Sequence, residues 1–204
     1  MASVKLTYFN LRARGEPCRL LLAYGGVKYE DERITPSFED PAPWAARKSE
    51  FPYGQLPVLS WNGMVISQSM ACARFIAKEI GVAGRTNLER AQVDEVIDAI
   101  QDLIEKRINL FKARDTEGLK KHMTETNATA YGQFEKRMES RGGQFMVGNS
   151  FSWADLHLYG YVSEFPDKTI LDGFPKIKSL IERVGKLPNI KAWVESRPIQ
   201  VTNI

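Results

Sequence analysis

The chain has 204 residues, 43% of them hydrophobic and 26% charged, values that suit a folded domain with a sizeable core and exclude a disordered one. Its 28 basic and 25 acidic residues give a net charge of +3 and are intermixed, without the basic block or stripe that a nucleic-acid partner requires. No run approaches transmembrane length, and Met-Ala-Ser-Val-Lys at the start lacks the apolar centre of a signal peptide, so neither a membrane partner nor secretion is expected. The two cysteines, Cys18 and Cys72, fall in predicted helices and suggest no bridge framework, which points to a reducing, cytoplasmic setting.

Lys5 to Phe9 reads as a short strand, followed by a polar loop from Asn10 to Gly15 that carries Arg12 and Arg14. Glu16-Pro17 opens a helix to Tyr24, with Pro17 in the first turn, where its missing N–H costs nothing. Gly25-Gly26 stops that helix, and Tyr29 to Arg33 forms a second strand, parallel to the first after a helical crossover. A looser, proline-rich stretch from Thr35 to Phe51 holds Trp44 and Lys48. Val58 to Trp61 and Met64 to Ile66 read as two strands joined at Asn62-Gly63, a turn whose residues both tolerate positive φ. Pro57 precedes the first of them, where it breaks no central ladder bond. With Leu56-Pro57 in the cis form, the backbone of Leu56 would face away from the sheet and could pair with an extended peptide. Ser67 or Ser69 is expected to cap the helix from Met70 to Ile80, whose free N–H groups would attract a carboxylate.

Gly81 to Thr86 reads as a linker, beyond which no convincing strand is found. Val93, Val96, Ile97, Ile100, Leu103, Ile104, Ile108 and Phe111 recur at helical spacing, with Asp94, Asp98, Asp102 and Glu105 on the other side. A second long helix spans about Glu117 to Ser140. Ser152-Trp153-Ala154-Asp155 is a capping box opening a deep helix through Tyr161, and Phe174 to Val184 and Pro188 to Ser196 supply two more. The fold class is therefore an α/β thioredoxin-like domain in the order β-α-β-α-β-β-α over residues 1–80, a linker over 81–86, and an all-α domain over 87–204.

Tyr8 lies near the carboxyl end of the first strand. It is either a half-buried strand tyrosine or a phenol placed to donate to a thiolate. Lowering a thiol pKa by about two units takes roughly 2.7 kcal/mol, and a charge-assisted hydrogen bond supplies about 1.5–3 kcal/mol. Tyr8 helped by the nearby Arg14 would suffice.

Thr7-Tyr8-Phe9-Asn10, Arg14-Gly15-Glu16, Pro52 to Leu59, Gln68-Ser69 and Ser152-Trp153-Ala154-Asp155, taken in order, resemble the cytosolic glutathione transferases. The likeness is greatest to their sigma class, which includes the haematopoietic prostaglandin D synthases and many invertebrate enzymes. The resemblance implies a glutathione transferase with glutathione as co-substrate, in which Tyr8 holds the sulfur as thiolate and Arg14 tunes it. Leu56, beside cis Pro57, would pair with the cysteinyl backbone of glutathione. Gln68 and Ser69 would hold the γ-glutamyl carboxylate, and Trp44, Lys48 and Gln55 the glycyl end. Asp102 would reach the glutathione of the partner subunit, making a homodimer part of the site. An electrophile pocket would be built from Phe9, Arg14, Ile104, His157 and the tail near Ile204.

Some positions depart from the class. The vertebrate prostaglandin synthases carry an acidic run on the long helix that binds a divalent cation, where this chain has Gln101 beside Asp102, so no metal is expected. Ile108-Asn109 replaces their pocket tryptophan, which argues against prostaglandin isomerisation as the main activity; isomerase or peroxidase side activity stays open. His157 is either a satisfied core residue or part of the pocket wall. Two other readings remain: a thiol-disulfide oxidoreductase acting through Cys18, and a non-catalytic ligand carrier or crystallin-like relative.

Overall fold

The computed structural model describes residues 3–35, 41–165 and 167–198; Ile204 lies outside them. Contacts divide the chain into two compact units, Met1–Gly81 with Pro188–Ile204, and Val82–Leu187. The sequence reading placed Pro188 to Ser196 with the second domain; by its contacts this helix goes with the first.

In the first unit, β1 (Val4–Phe9) leads through a 3-10 turn at Ala13–Gly15 into α1 (Glu16–Tyr24), and β2 (Glu30–Ile34) follows. Next come α2 (Ala42–Arg47), β3 (Val58–Trp61), β4 (Met64–Ser67) and α3 (Ser69–Glu79). The described strands form one sheet in the order β2-β1-β3-β4. β1 runs parallel to β2, with Tyr8 opposite Arg33, and antiparallel to β3, where the ladder ends at Thr7–Val58. The turn between β3 and β4 has Asn62 at φ 51° and Gly63 at φ 81°, the left-handed pair a tight hairpin needs. β2 is an edge strand with the sequence Glu-Asp-Glu-Arg-Ile. Its acids are engaged: Lys5 reaches Glu30 and Glu32, Thr7 Oγ1 donates to Glu32, and Arg47 also pairs with Glu32. Such charges discourage edge-to-edge pairing with another sheet.

The apolar sides of α1 and α3 meet, burying Cys18, Leu21 and Leu22 together with Cys72, Ala73 and Ile76.

In the second unit, α4 (Asn87–Lys112) starts at Thr86, whose side chain accepts from the Glu89 N–H, and buries Val93, Val96, Ile97, Ile100 and Leu103. The expected second long helix is interrupted. α5 (Thr116–Lys121) and α6 (Asn127–Ser140) are joined by a π turn over His122–Thr126, one extra residue per turn that leaves the apolar spacing on either side intact. α7 (Trp153–Val162) is buried nearly all round, as expected of a helix packed on several sides; it touches α4 and α8 (Pro175–Gly185). Its capping box is formed, with the Ser152 N–H donating to Asp155 Oδ2 at 2.7 Å. α9 (Pro188–Ser196) is the helix that packs on α1. No helix among the described residues is long and apolar enough to cross a membrane.

Candidate active site

A cleft of about 350 Å³ opens in the first unit, lined by Phe9, Arg14, Trp44, Lys48, Gly54, Gln55, Leu56, Pro57, Gln68 and Ser69. Nine of these residues are ones the sequence reading assigned to glutathione or to the electrophile; Gly54 is the addition. The lining carries two cations and, among the described residues, no carboxylate.

Each wall has a local cause. The Leu56-Pro57 bond is cis and Leu56 stands beyond the last ladder pair of β3 with β1. Among the described residues, no backbone group pairs with its N–H or C=O. At the start of α3 the N-cap is Gln68, at φ 74° and ψ 119°, and no side chain caps the helix. This corrects the expectation that Ser67 or Ser69 would do so. Ser67 Oγ is buried without a hydrogen-bond partner, and Ser69 is already the first helical residue. The opening turn of α3 therefore presents uncapped N–H groups and the positive end of its dipole. A non-glycine residue held at positive φ costs about 1–3 kcal/mol and is commonly found at ligand clamps. Gln68 Nε2 also donates to Gln55 Oε1 at 3.4 Å, tying the two amides together.

Trp44 is fixed by rings on both sides: Phe9 edge-on at 5.2 Å and Phe51 stacked at 5.8 Å. The Lys48 stem lies along Gly54, where a Cβ would come 3.0 Å from its Cε. Tyr53 and Gly54 both have φ of 55°, so the turn bends sharply enough to bring Gln55 and Leu56 to the cleft.

Tyr8 is 5% exposed and does not itself line the cleft. Its hydroxyl oxygen accepts the backbone N–H of Arg14 at 3.2 Å, which brings the phenol to the rim through a residue that does. In that bond the hydroxyl oxygen is the acceptor.

Other predicted residues lie elsewhere. Asp102 is exposed on α4, and Ile104 is half-buried on the same helix. His157 on α7 is 3% exposed, 2.9 Å from Gln101 Nε2, and burial lowers its pKa to about 4. It is a neutral, satisfied imidazole within the second unit. Cys18 is fully buried and its Sγ faces the Ser69 carbonyl oxygen at 3.8 Å. A hydrogen bond with Cys72 together with burial pushes its thiol well above the ordinary range, which removes the activation a redox nucleophile needs. Among the described residues, no group of three or more His, Cys, Asp or Glu side chains could hold a metal ion.

Two buried charged residues were assigned no role from the sequence. Arg19 is wholly buried, with donors to Leu11 O at 2.6 Å, Phe9 O at 3.3 Å and Asp31 at 3.1 Å. Glu16 is 5% exposed and accepts from Trp193 Nε1 at 3.0 Å and Arg197 Nη1 at 2.7 Å. For Arg19 the available signal was a charge inside the otherwise apolar run Cys18 to Leu22.

Comparison with known proteins bears on this geometry. The model of the glutathione S-transferase N-terminal domain matches residues 4–78, and that of the C-terminal domain matches residues 101–197. Among curated proteins, glutathione S-transferase 1 of Ascaris suum is 39% identical over 97% of this chain and 98% of its own. Hematopoietic prostaglandin D synthase of Gallus gallus is 36% identical over 97% and 98%. Among solved structures, Na-GST-3 of the hookworm Necator americanus, described as monomeric, superposes with a TM-score of 0.85 at 35% identity, covering 98% of this chain and 100% of that one.

Proposed function

Because the chain belongs to the glutathione S-transferase family and is a sigma-like glutathione transferase with glutathione as co-substrate, we propose that the first-unit cleft is its glutathione site and that Tyr8 holds the sulfur as thiolate for attack on hydrophobic electrophiles. The observation that carries this reading is the pairing of charge and backbone in the cleft. Arg14, Lys48 and the uncapped start of α3 suit a peptide with a carboxylate at each end, and Leu56 offers an extended N–H and C=O between them.

In this reading the α3 terminus, Gln68 and Ser69 take the γ-glutamyl carboxylate. Lys48, Trp44 and Gln55 take the glycyl carboxylate, and Leu56 beside Pro57 takes the cysteinyl backbone. Tyr8 donates its hydroxyl proton as a hydrogen bond to the sulfur, while Arg14 supplies positive charge nearby. The thiolate forms a carbon–sulfur bond with the electrophile, whose leaving group departs with the electron pair of the bond that breaks. Conjugation of this kind is the main activity proposed.

The working form is a cytoplasmic homodimer in which Asp102, exposed on α4, reaches the γ-glutamyl amine bound by the partner subunit. Tyr53 at 79%, Met64 at 72% and Val65 at 56% exposed are apolar side chains that association would cover.

The test is Tyr8→Phe, assayed for conjugation of a chloronitrobenzene with glutathione and for glutathione binding by titration calorimetry. Loss of the single donor at the sulfur should lower kcat by about a hundredfold and leave glutathione affinity within about threefold. Full turnover in this variant would falsify the assignment of Tyr8.

A further inference from the structure

Building on the thiolate reading of Tyr8, we propose that Arg19 is a positioning residue for the reaction, holding the Tyr8 ring and the turn after β1 so that the phenol is aimed at the sulfur. The guanidinium stands 5.7 Å from the Tyr8 ring centroid. Its fork reaches the carbonyls of Phe9 and Leu11, which flank Asn10 where the chain leaves the strand bearing Tyr8. The far end of that turn returns the Arg14 N–H to the Tyr8 hydroxyl oxygen. Tyr8 is thus held at its ring by Arg19 and at its oxygen by Arg14, and both holds run through one turn.

The charged groups around Arg19 come from each element packed on it. Asp31 of β2 takes its Nε–H and is itself bound by Arg33. Glu16 of α1 lies 4.0 Å away and is occupied by Arg197, just beyond α9. Stability alone does not call for a cation here, since a buried ion pair is often matched by an apolar side chain of similar volume. A methionine would fill the space but could not grip two carbonyls, and a lysine would keep the charge but not the planar fork.

The experiment compares Arg19→Lys and Arg19→Met with wild type, with Tyr8→Phe alongside. It reads kcat against pH, ionisation of bound glutathione by thiolate ultraviolet absorbance, and glutathione affinity by calorimetry. Arg19→Met should lower kcat by about tenfold or more and raise the apparent pKa of the bound thiol by about one unit. Affinity should stay within about threefold, and Arg19→Lys should fall between. A folded variant with wild-type thiol ionisation overturns the proposal, including one in which affinity and kcat fall together, because that marks a scaffold role only. Should neither Arg19 variant fold, Asp31→Asn, which loosens the guanidinium without removing it, is read the same way, and unchanged thiol ionisation there also overturns it. Full activity in Tyr8→Phe instead defeats the thiolate reading, whatever Arg19 shows.

Discussion

Gly15 lies directly against Tyr8: a Cβ added at this glycine would stand 2.8 Å from Cγ of the ring. Its backbone is ordinary, with φ at −86°, so the requirement is for space and not for a left-handed conformation. The residue beside Arg14 therefore has to be small for the phenol to keep its place. Gly15→Ala is expected to push the ring aside, lowering stability by about 1–3 kcal/mol and kcat by about tenfold or more, with glutathione affinity nearly unchanged. Steady-state kinetics beside calorimetry and thermal melting check this; unaltered kcat would contradict it.

In the proposed site, Lys48 bears on binding more than on chemistry. Removing a charge-assisted contact of about 1.5 kcal/mol, Lys48→Met should raise KM for glutathione about tenfold, with kcat within about twofold. A comparable fall in kcat would mean that Lys48 acts near the sulfur instead.

Gln68 sits at φ 74°, where only glycine is comfortable. Gln68→Gly should release strain and raise Tm by about 2–4 °C while weakening glutathione binding. Melting and calorimetry on the same sample separate the two effects, and a fall in Tm would show that the Gln55 contact outweighs the strain.

Asp102 makes a prediction about mixed dimers. Tyr8→Phe and Asp102→Asn, each impaired alone, should regain a site with wild-type kcat and glutathione KM when subunits are exchanged, because one of the two sites then has both native residues. The comparison structure described as monomeric sharpens the test. If sedimentation shows this chain to be a monomer, or if mixing restores nothing, Asp102 does not work across subunits.

Acid sensitivity follows from three buried groups. His157 and His122 titrate near 4 in the fold against 6.5 ordinarily, His157 through burial, and His122 through burial and then the charges of Arg107 and Lys106. Below pH 6.5 the unfolded chain takes up protons that the fold refuses, so their stabilisation is complete above about 6.5 and is lost as pH falls toward 4. Asp155 opposes them: burial outweighs its hydrogen bonds and raises it from 3.8 to about 6, so its protonation favours the fold between about 4 and 6. Two groups against one give a net fall in the urea midpoint from pH 7 to pH 4.5, and a flat profile would contradict the balance.

Most of the fold was legible because period and punctuation agreed. α1 and β3 came out at their observed limits from Pro17, Gly25-Gly26 and Asn62-Gly63, and α9 from its proline and apolar spacing. The bounds of α2, whose place in the element order was expected, were hidden in a proline-rich stretch without a clear period. The π turn at His122–Thr126 was hidden for the opposite reason, since the spacing on both sides suggests one continuous helix. The serine cap failed because a left-handed Gln68 is a backbone choice that composition does not reveal. The residues that line the cleft were legible as short motifs on the chain. The roles of Arg19 and Glu16 were not: Arg19 grips backbone carbonyls of a turn, which composition does not reveal, and the partners of Glu16 are distant, Trp193 lying 177 positions from the carboxylate it serves.

That separation bears on how the protein can be cut. Residues 1–81 made alone would keep the sheet and every lining residue of the cleft, yet strand Glu16 in the interior without the indole N–H that donates to it and the guanidinium that neutralises it. The amino-terminal half is thus not a self-sufficient module, and a minimal glutathione-binding fragment would have to carry the far end of the polypeptide, grafted back through a short bridge.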